Sequence, residues 1–134
     1  MHALKTAVQK ILLIDADEDD HFIFEHILCE VAPSVQLDIR VSEEEIVDVV
    51  HQLQPDLIFL DINLPLGGGV ACLKKLQQCV DSHLFPVIIY SSLYHPKDIE
   101  IAFELGAVQF IQKGDNYSQI REMLQGFIEM PKRA

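Results

Sequence analysis

The sequence predicts an α/β fold in which helices cover both faces of a parallel sheet. Short apolar runs alternate with helical patterns five times along the 134 residues, and this alternation with short connections is typical of a parallel sheet. Three of the runs are apolar throughout, whereas residues 35–41 alternate apolar and polar side chains, as a strand with one solvated face does. That strand is therefore predicted at an edge, which the order 2-1-3-4-5 satisfies.

The five strands are predicted from the positions of these runs. They comprise residues 11–15, 35–41, 57–61, 87–91 and 108–111. Together with five helices they describe a doubly wound, flavodoxin-like three-layer sandwich of (βα)5 architecture. We expect a single domain over residues 1–134, with a core from about 10 to 128, because a chain of this length can bury one continuous core.

The helices are predicted from apolar residues that recur at helical spacing. The second has the clearest signals: residues 42–45, Ser-Glu-Glu-Glu, form a predicted capping box at its start, and Pro55 lies beyond its end. Pro96 in a first turn and Gly106 after the end bound the fourth. The apolar positions are Phe24, Ile27, Leu28 and Val31 in the first helix; Ile46, Val49, Val50 and Leu53 in the second; Val70, Leu73, Leu76 and Val80 in the third; Ile99, Ala102 and Phe103 in the fourth; and Ile120, Met123, Leu124, Phe127 and Ile128 in the fifth.

Charge and composition argue against several classes of protein. The formal net charge of -11, with only ten Lys and Arg residues, disfavours a nucleic-acid-binding surface, because phosphates must be neutralised by basic side chains. No uncharged stretch approaches the length of a membrane span, and residues 1–10 lack the apolar core of a signal peptide. We therefore expect a cytoplasmic protein that binds neither nucleic acid nor membrane.

Polar side chains stand at the ends of four predicted strands. Asp15 and Asp61 end the first and third strands. Ser91 ends the fourth, and Lys113 follows the fifth. A carboxylate at the mouth of a buried strand is costly to ionise unless a positive charge meets it, so Asp61 indicates chemistry more than packing. Because the strand order reverses between strands 1 and 3, and ligands bind at such switch points, the sequence predicts a site around Asp15 and Asp61.

Four motifs, on the strands in the expected order, resemble the receiver domain of two-component response regulators, such as the chemotaxis regulator. They are Asp-Leu-Ile-Phe-Leu-Asp-Ile-Asn-Leu-Pro at 56–65, Asp-Ala-Asp-Glu-Asp-Asp at 15–20, Tyr-Ser-Ser at 90–92 and Phe-Ile-Gln-Lys at 110–113. In that family the aspartate at the end of strand 3 takes a phosphoryl group from a phosphohistidine on a kinase. The resemblance therefore implies that Asp61 is the phosphoacceptor.

The resemblance also implies roles for three other residues. Lys113 would supply an ammonium that offsets the repulsion between carboxylate and phosphoryl group. Ser91 would offer its hydroxyl to a phosphoryl oxygen, and Phe110 takes the place of an aromatic switch residue. The alternatives are a solvated surface lysine at 113, a turn or cap serine at 91 and a core residue at 110.

A magnesium ion is the cofactor that the resemblance implies. The residues expected to hold Mg²⁺ are Asp15, Asp61 and, through its backbone carbonyl, Asn63. Most receivers have two adjacent acidic residues at the end of strand 1, whereas here Asp15 is followed by Ala16, which cannot ligate a metal. Asp17 is a further candidate ligand, although acidic residues at a helix N-terminus are favourable by themselves. We therefore expect weakened Mg²⁺ affinity and impaired phosphorylation.

A second departure lies after the strand 5 lysine. Gly114 stands where the family usually has proline. Because cis peptide bonds are essentially confined to proline, the cis bond expected after Lys113 is in doubt.

The sequence favours a stand-alone phosphoacceptor module that acts as a switch. Its expected partners are a histidine kinase or histidine phosphotransfer protein that donates the phosphoryl group, and an effector protein downstream; a homodimer is compatible with the sequence. We expect no enzymatic activity beyond Mg²⁺-dependent self-phosphorylation and autodephosphorylation. Ala16 motivates one alternative, a pseudo-receiver that binds partners without phosphorylation. A phosphate-ester hydrolase on a similar sheet is a third hypothesis, but no cap segment or separate substrate pocket is visible in the sequence.

Overall fold

The structure is a computed structural model, and it describes residues 8–79, 81, 84–92, 95–113 and 117–129. Within these residues five strands alternate with five α-helices. In chain order they are β1 (Lys10–Ile14), α1 (Glu18–Val31), β2 (Gln36–Arg40), α2 (Ile46–Leu53), β3 (Leu57–Leu60), α3 (Gly68–Cys79), β4 (Val87–Ser91), α4 (Pro96–Glu104), β5 (Gln109–Gln112) and α5 (Tyr117–Glu129). None of the helices so described is long and apolar enough to cross a membrane.

The strands form one sheet in the order β2-β1-β3-β4-β5, and all pairings are parallel. The predicted fold class, strand order and edge position of the second strand are thus confirmed. Because β1 lies between β2 and β3, Ile14 pairs with Arg40 on one side and with Leu60 on the other. Asp15 and Asp61 consequently leave the sheet side by side.

Two apolar cores fill the space between the sheet and its helices, because alternate strand residues point to opposite faces. On one face Leu12 and Ile14 pack with α2, α3 and α4. On the other face Ile11 and Leu13 pack with α1 and α5. Burying each such side chain completely contributes about 1.5–3 kcal/mol. The central strands are buried on both faces, which explains their unbroken apolar sequence.

The predicted capping box at residues 42–45 is wrong. α2 begins at Ile46, and its N-cap is Glu45, which makes no side-chain capping hydrogen bond. The backbone of Glu45 is left-handed, with φ of 54°, so the helix cannot extend toward Ser42. Instead, Ser42 Oγ accepts the N–H of Glu44 at 3.3 Å within a turn. Hydrogen bonding of serine to nearby backbone in a turn competes with helix formation. Here the chain forms a turn after β2 instead of an earlier start of the helix.

The loop between β3 and α3 packs closely against the start of α3. A Cβ atom at Gly69 would lie only 2.1 Å from the carbonyl oxygen of Ile62. Only glycine permits such an approach of two backbones, so α3 begins directly against the segment that follows Asp61. The predicted third helix is observed as Gly68–Cys79, and Val80 lies outside the described residues.

Candidate functional site

The four polar residues predicted at strand ends lie together at the carboxyl edge of the sheet. Asp15 follows β1 and Asp61 follows β3. Ser91 is the last residue of β4, and Lys113 follows β5. The N–H of Asp61 donates to the carbonyl of Ile14 at 2.9 Å, and the N–H of Lys113 donates to the carbonyl of Ser91 at 2.9 Å. Backbone hydrogen bonds therefore hold the four residues at this edge.

Lys113 is buried at the centre of this edge, with only 6% of its surface exposed. Its ammonium nitrogen lies 2.6 Å from Asp15 Oδ2, 2.6 Å from Asp20 Oδ2 and 2.9 Å from Asp61 Oδ2. Burial alone would lower the pKa of Lys113, but the contacts with the three carboxylates outweigh it and raise that pKa above its ordinary value. Lys113 is therefore a buried cation, and the alternative of a solvated surface lysine is wrong.

Asp15 is fully buried. Its Oδ1 accepts the backbone N–H of Asp17 at 2.9 Å. Its Oδ2 forms an ion pair with Lys113 Nζ at 2.6 Å and has no further polar partner among the described residues. Burial raises the pKa of Asp15, and contact with the Lys113 ammonium offsets part of that rise. A carboxylate oxygen has more than one lone pair, so Oδ2 can accept a ligand such as a cation in addition to the ammonium.

Asp20 is a site residue that the sequence analysis did not single out. It lies in the first turn of α1, and 20% of its side chain is exposed. Asp20, Phe24 and Ile27 are spaced by four and three residues, which places them on one helix face, and Phe24 and Ile27 are buried against the sheet. This spacing is the sequence signal from which the position of Asp20 at the site could have been predicted. Asp17 instead caps α1 by accepting the N–H of Asp19 at 2.9 Å.

Both carboxylate oxygens of Asp61 have hydrogen-bond partners. Oδ1 accepts the backbone N–H of Asn63 at 2.8 Å, and Oδ2 accepts a hydrogen bond from Lys113 Nζ at 2.9 Å. The side chain of Asn63 donates through Nδ2 to Ser91 Oγ at 2.6 Å. Because Ser91 is fully buried, this bond reaches from the surface loop into the interior. A hydrogen-bonded chain thus links Lys113, Asp61, Asn63 and Ser91.

An open cleft of about 650 Å³ leads from solvent to Asp61. Ala16, Asp17 and Asp19 line one side, and Asn63 lines the side formed by the loop after β3. The side chain of Asp61 is 13% exposed. A reactant can therefore approach this carboxylate, although Asp15 and Lys113 behind it are buried.

The family model of the response regulator receiver domain matches residues 11–125 of the chain. The chain belongs to this family. The receiver is 32% identical over 120 residues to the sensory transduction protein BceR of Halalkalibacterium halodurans, covering 89% of the receiver and 49% of that protein. It is 35% identical over 107 residues to protein-glutamate methylesterase/protein-glutamine glutaminase 1 of Myxococcus xanthus, covering 79% and 30% of the two chains. The receiver thus spans half or less of the length of these relatives.

A solved structure is similar over nearly the whole receiver. The crystal structure of the phosphorylated cyanobacterial phytochrome response regulator RcpA matches with a TM-score of 0.75 and 25% sequence identity, covering 90% of this chain and 91% of that chain. The five-stranded sheet described above is therefore the fold of the family, and the general role of this chain is that of a response regulator receiver.

Three carboxylates of the receiver form a group that fits a divalent cation. Oxygen atoms of Asp15, Asp20 and Asp61 all lie within 4.8 Å of one another. Hard divalent cations are bound by carboxylate oxygens, and Oδ2 of Asp15 is a buried oxygen whose contact among the described residues is the ion pair with Lys113. Asp20 provides a carboxylate from α1 where the strand exit has only Ala16. The donor set is therefore suited to a divalent metal.

The expectations for Phe110 and for the peptide bond after Lys113 both stay predictions. Phe110 is half-buried in β5 and packs at the edge of the core that contains Ala102 and Ala107. This placement agrees with a core residue and with a residue that repacks, so its role as a switch stays a prediction. Gly114 lies outside the described residues, and so the geometry of the peptide bond after Lys113 also stays a prediction.

Proposed function

We propose that this receiver accepts a phosphoryl group on Asp61 from a phosphohistidine of a cytoplasmic histidine kinase or histidine phosphotransfer protein. The observation that carries the proposal is that Asp61 lines an open cleft while its Oδ2 is held by the buried ammonium of Lys113. A preorganised cation beside an accessible carboxylate can stabilise a second anion that arrives there. The similar regulator RcpA is phosphorylated in its crystal structure, which supports the same chemistry here.

The transfer moves one phosphoryl group between two side chains. A carboxylate oxygen of Asp61 attacks phosphorus, a P–O bond forms, and the P–N bond of the phosphohistidine breaks. The electron pair of that bond stays on the imidazole nitrogen, and the imidazole takes up one proton from solvent. Lys113 lowers the repulsion between carboxylate and phosphoryl oxygens, and Ser91 donates its hydroxyl to one phosphoryl oxygen. Such catalysis depends mainly on positioning and charge neutralisation.

Magnesium is the cation we propose for the three-carboxylate group. Asp15, Asp20 and Asp61 would hold it together with the backbone carbonyl of Asn63. Bound Mg²⁺ would supply positive charge to the carboxylate and phosphoryl oxygens as they approach. Asp17 is engaged as the N-cap of α1, so Asp20 is the better substitute for the acidic residue that is missing at Ala16.

The output is proposed to pass to an effector protein through the surface of α4, β5 and α5. Ile101, Phe103 and Val108 expose apolar surface in this region, and Phe110 lies half-buried in β5. When Ser91 turns toward the phosphoryl group, Phe110 repacks, and the surface changes with it. Phosphorylation would in this way shift an existing equilibrium between two conformations.

Ala16 supports a second candidate function. It lines the cleft without offering the second acidic group of most receivers, so a pseudo-receiver that binds its partner without phosphorylation is the alternative. The two functions share the same fold and the same output surface. They differ in whether Asp61 becomes phosphorylated.

Incubation with acetyl phosphate and Mg²⁺, followed by intact-mass measurement, tests the proposal. The wild-type receiver should gain a phosphoryl group, and Asp61→Asn should gain none, because an amide packs like a carboxylate but cannot attack phosphorus. Asp19→Asn is the matched control, since it makes the same change of charge in the same cleft and should still be labelled. Undiminished labelling of Asp61→Asn would overturn the proposal. A wild type that is labelled by neither acetyl phosphate nor a phosphohistidine donor would favour the pseudo-receiver.

A further inference from the structure

The side chain of Asn63 joins the phosphoacceptor loop to the serine at the end of β4. Its Nδ2 donates to Ser91 Oγ at 2.6 Å, across 28 positions of the sequence. The backbone N–H of the same residue donates to Asp61 Oδ1 at 2.8 Å. One residue therefore contacts the proposed acceptor through its backbone and the proposed phosphoryl ligand through its side chain.

The main chain of Ser91 is fixed on the opposite side from Asn63. Ser91 pairs with Gln112 of β5, and its carbonyl accepts the N–H of Lys113 at 2.9 Å. Its hydroxyl can thus change position mainly by rotation about the Cα–Cβ bond, for which three staggered positions exist. The amide of Asn63 donates a hydrogen bond to the hydroxyl in one of them.

When it is bonded to Asn63, the Ser91 hydroxyl does not line the cleft. Asn63 and Asp61 line the cleft, but Ser91 is not part of its lining and is fully buried. A Ser91 hydroxyl that turns outward to a phosphoryl group on Asp61 would leave the amide. The hydrogen bond from Asn63 therefore belongs to the unphosphorylated arrangement.

We infer that Asn63 is a positioning residue that holds Ser91 in its resting rotamer and thereby opposes the phosphorylated conformation. This inference rests on the proposed phosphorylation of Asp61 and adds a regulatory role for a side chain at the same site. A bond made in only one of two conformations biases their equilibrium by its own free energy. Removing the amide should consequently favour the conformation that binds a phosphoryl group.

Beryllium fluoride, which mimics a phosphoryl group on a carboxylate, is the probe for this inference. Its affinity would be measured in the presence of Mg²⁺ by fluorine NMR for the wild type, Asn63→Ala, Ser91→Ala and the double variant. Asn63→Ala keeps the backbone N–H and carbonyl of residue 63, and should tighten binding about threefold to tenfold, the equivalent of one net hydrogen bond. In the Ser91→Ala background the same substitution should have no effect. Ser91→Thr, which keeps the hydroxyl, should retain the response to Asn63→Ala.

A second double-variant cycle, on unfolding by urea without the probe, tests the resting bond itself. Additive effects of Asn63→Ala and Ser91→Ala on unfolding would show that the two side chains are not coupled and would overturn the inference. Equal or weaker beryllium fluoride binding by Asn63→Ala, with a wild type that binds, would overturn it and leave the proposed function standing. A wild type that does not bind the probe would overturn the proposed function, and the inference with it.

Discussion

Lys113 Nζ lies 2.6 Å from Oδ2 of Asp20, although 93 positions separate the two residues in the sequence. This contact ties the first turn of α1 to the end of β5. Asp15 and Asp61 share the same ammonium, so three carboxylates surround one cation. With all groups ionised, the cluster carries two negative charges in excess, which a divalent cation would neutralise.

Replacement of Asp20 by Asn should weaken binding of Mg²⁺ or Mn²⁺ by about tenfold or more, which corresponds to about 1.4 kcal/mol. The amide offers only a neutral oxygen in place of a charged ligand. Asp19→Asn makes the same charge change one residue earlier, where the side chain lies outside the three-carboxylate group, and should change affinity much less. Isothermal titration of both variants with the metal alone measures the difference. Equal losses in the two variants would mean that Asp20 acts only through long-range charge.

The site residues at the strand ends were predicted from the sequence, whereas the place of Asp20 in the site was not. Asp15, Asp61 and Lys113 follow apolar runs that can only be central strands, and parallel pairing brings the ends of such strands together. Asp20 depends instead on where α1 begins and on how the helix is rotated about its axis. The acidic run 17–20 does not decide this by itself, because every residue in it suits a helix N-terminus. The buried positions of Phe24 and Ile27 show which face of α1 packs against the sheet. Asp20 lies on the same face.

The prediction of a capping box at residues 42–45 was wrong for a related reason. Local preference at Ser42 predicts a helix start, but the chain must first turn out of β2, and the left-handed Glu45 places the start at Ile46. Contacts that arise only in the folded chain decide between such local alternatives. The hydrogen bond from Asn63 to Ser91 likewise has no signature in the sequence, since it depends on the path of the loop after β3.

Replacement of Lys113 by Met should destabilise the metal-free receiver by about 3–5 kcal/mol, the usual cost of breaking a buried ion pair on one side. The variant leaves Asp15, Asp20 and Asp61 facing one another without a counter-charge. Millimolar Mg²⁺ should restore more stability to this variant than to the wild type, because the ion supplies the missing positive charge. Urea unfolding with and without Mg²⁺ measures both effects.

Lys74→Met is the control for the loss of a lysine. Lys74 is exposed on α3, and its replacement should change stability by less than about 0.5 kcal/mol, as is usual for surface positions. If Lys113→Met were no less stable than this control, the ammonium would contribute nothing to the cluster. A variant without a larger response to Mg²⁺ would argue that the ion does not bind among the three carboxylates.

The buried Tyr90 should make the folded receiver less stable at alkaline pH. Burial, and then the charge of Asp20, raise the pKa of Tyr90 to about 12, against about 10 for an exposed tyrosine. The folded state keeps this proton after the unfolded state has lost it, so the contribution is complete below pH 10 and falls as pH rises toward 12. Tyr90→Phe should lose less stability over this window, by up to about 2–3 kcal/mol. Urea unfolding from neutral pH to the alkaline range tests this, and parallel curves for the two proteins would contradict it.

Gly69 and Gly126 should respond in opposite directions to replacement by Ala. Both lie in helices, where Ala is favoured over Gly by about 0.5–1 kcal/mol. At Gly126, in α5, an added Cβ meets nothing within 4 Å, so the receiver should become more stable by about that amount. At Gly69 the Cβ would lie 2.1 Å from the carbonyl oxygen of Ile62, and overpacking of this kind costs about 1–3 kcal/mol. Gly69→Ala should therefore unfold at lower urea concentration.

The loop after β3 makes the Gly69 variant informative about function as well. Relief of the clash must shift the start of α3 against the backbone of Ile62. Ile62 directly precedes Asn63, whose N–H donates to Asp61 Oδ1. Gly69→Ala should consequently reduce both Mg²⁺ affinity and labelling of Asp61 under conditions in which it remains folded, whereas Gly126→Ala should leave both unchanged. Circular dichroism and metal titration on the same samples separate unfolding from misplacement of the loop. A folded Gly69→Ala with wild-type Mg²⁺ affinity and labelling would show that the site does not depend on the position of this loop.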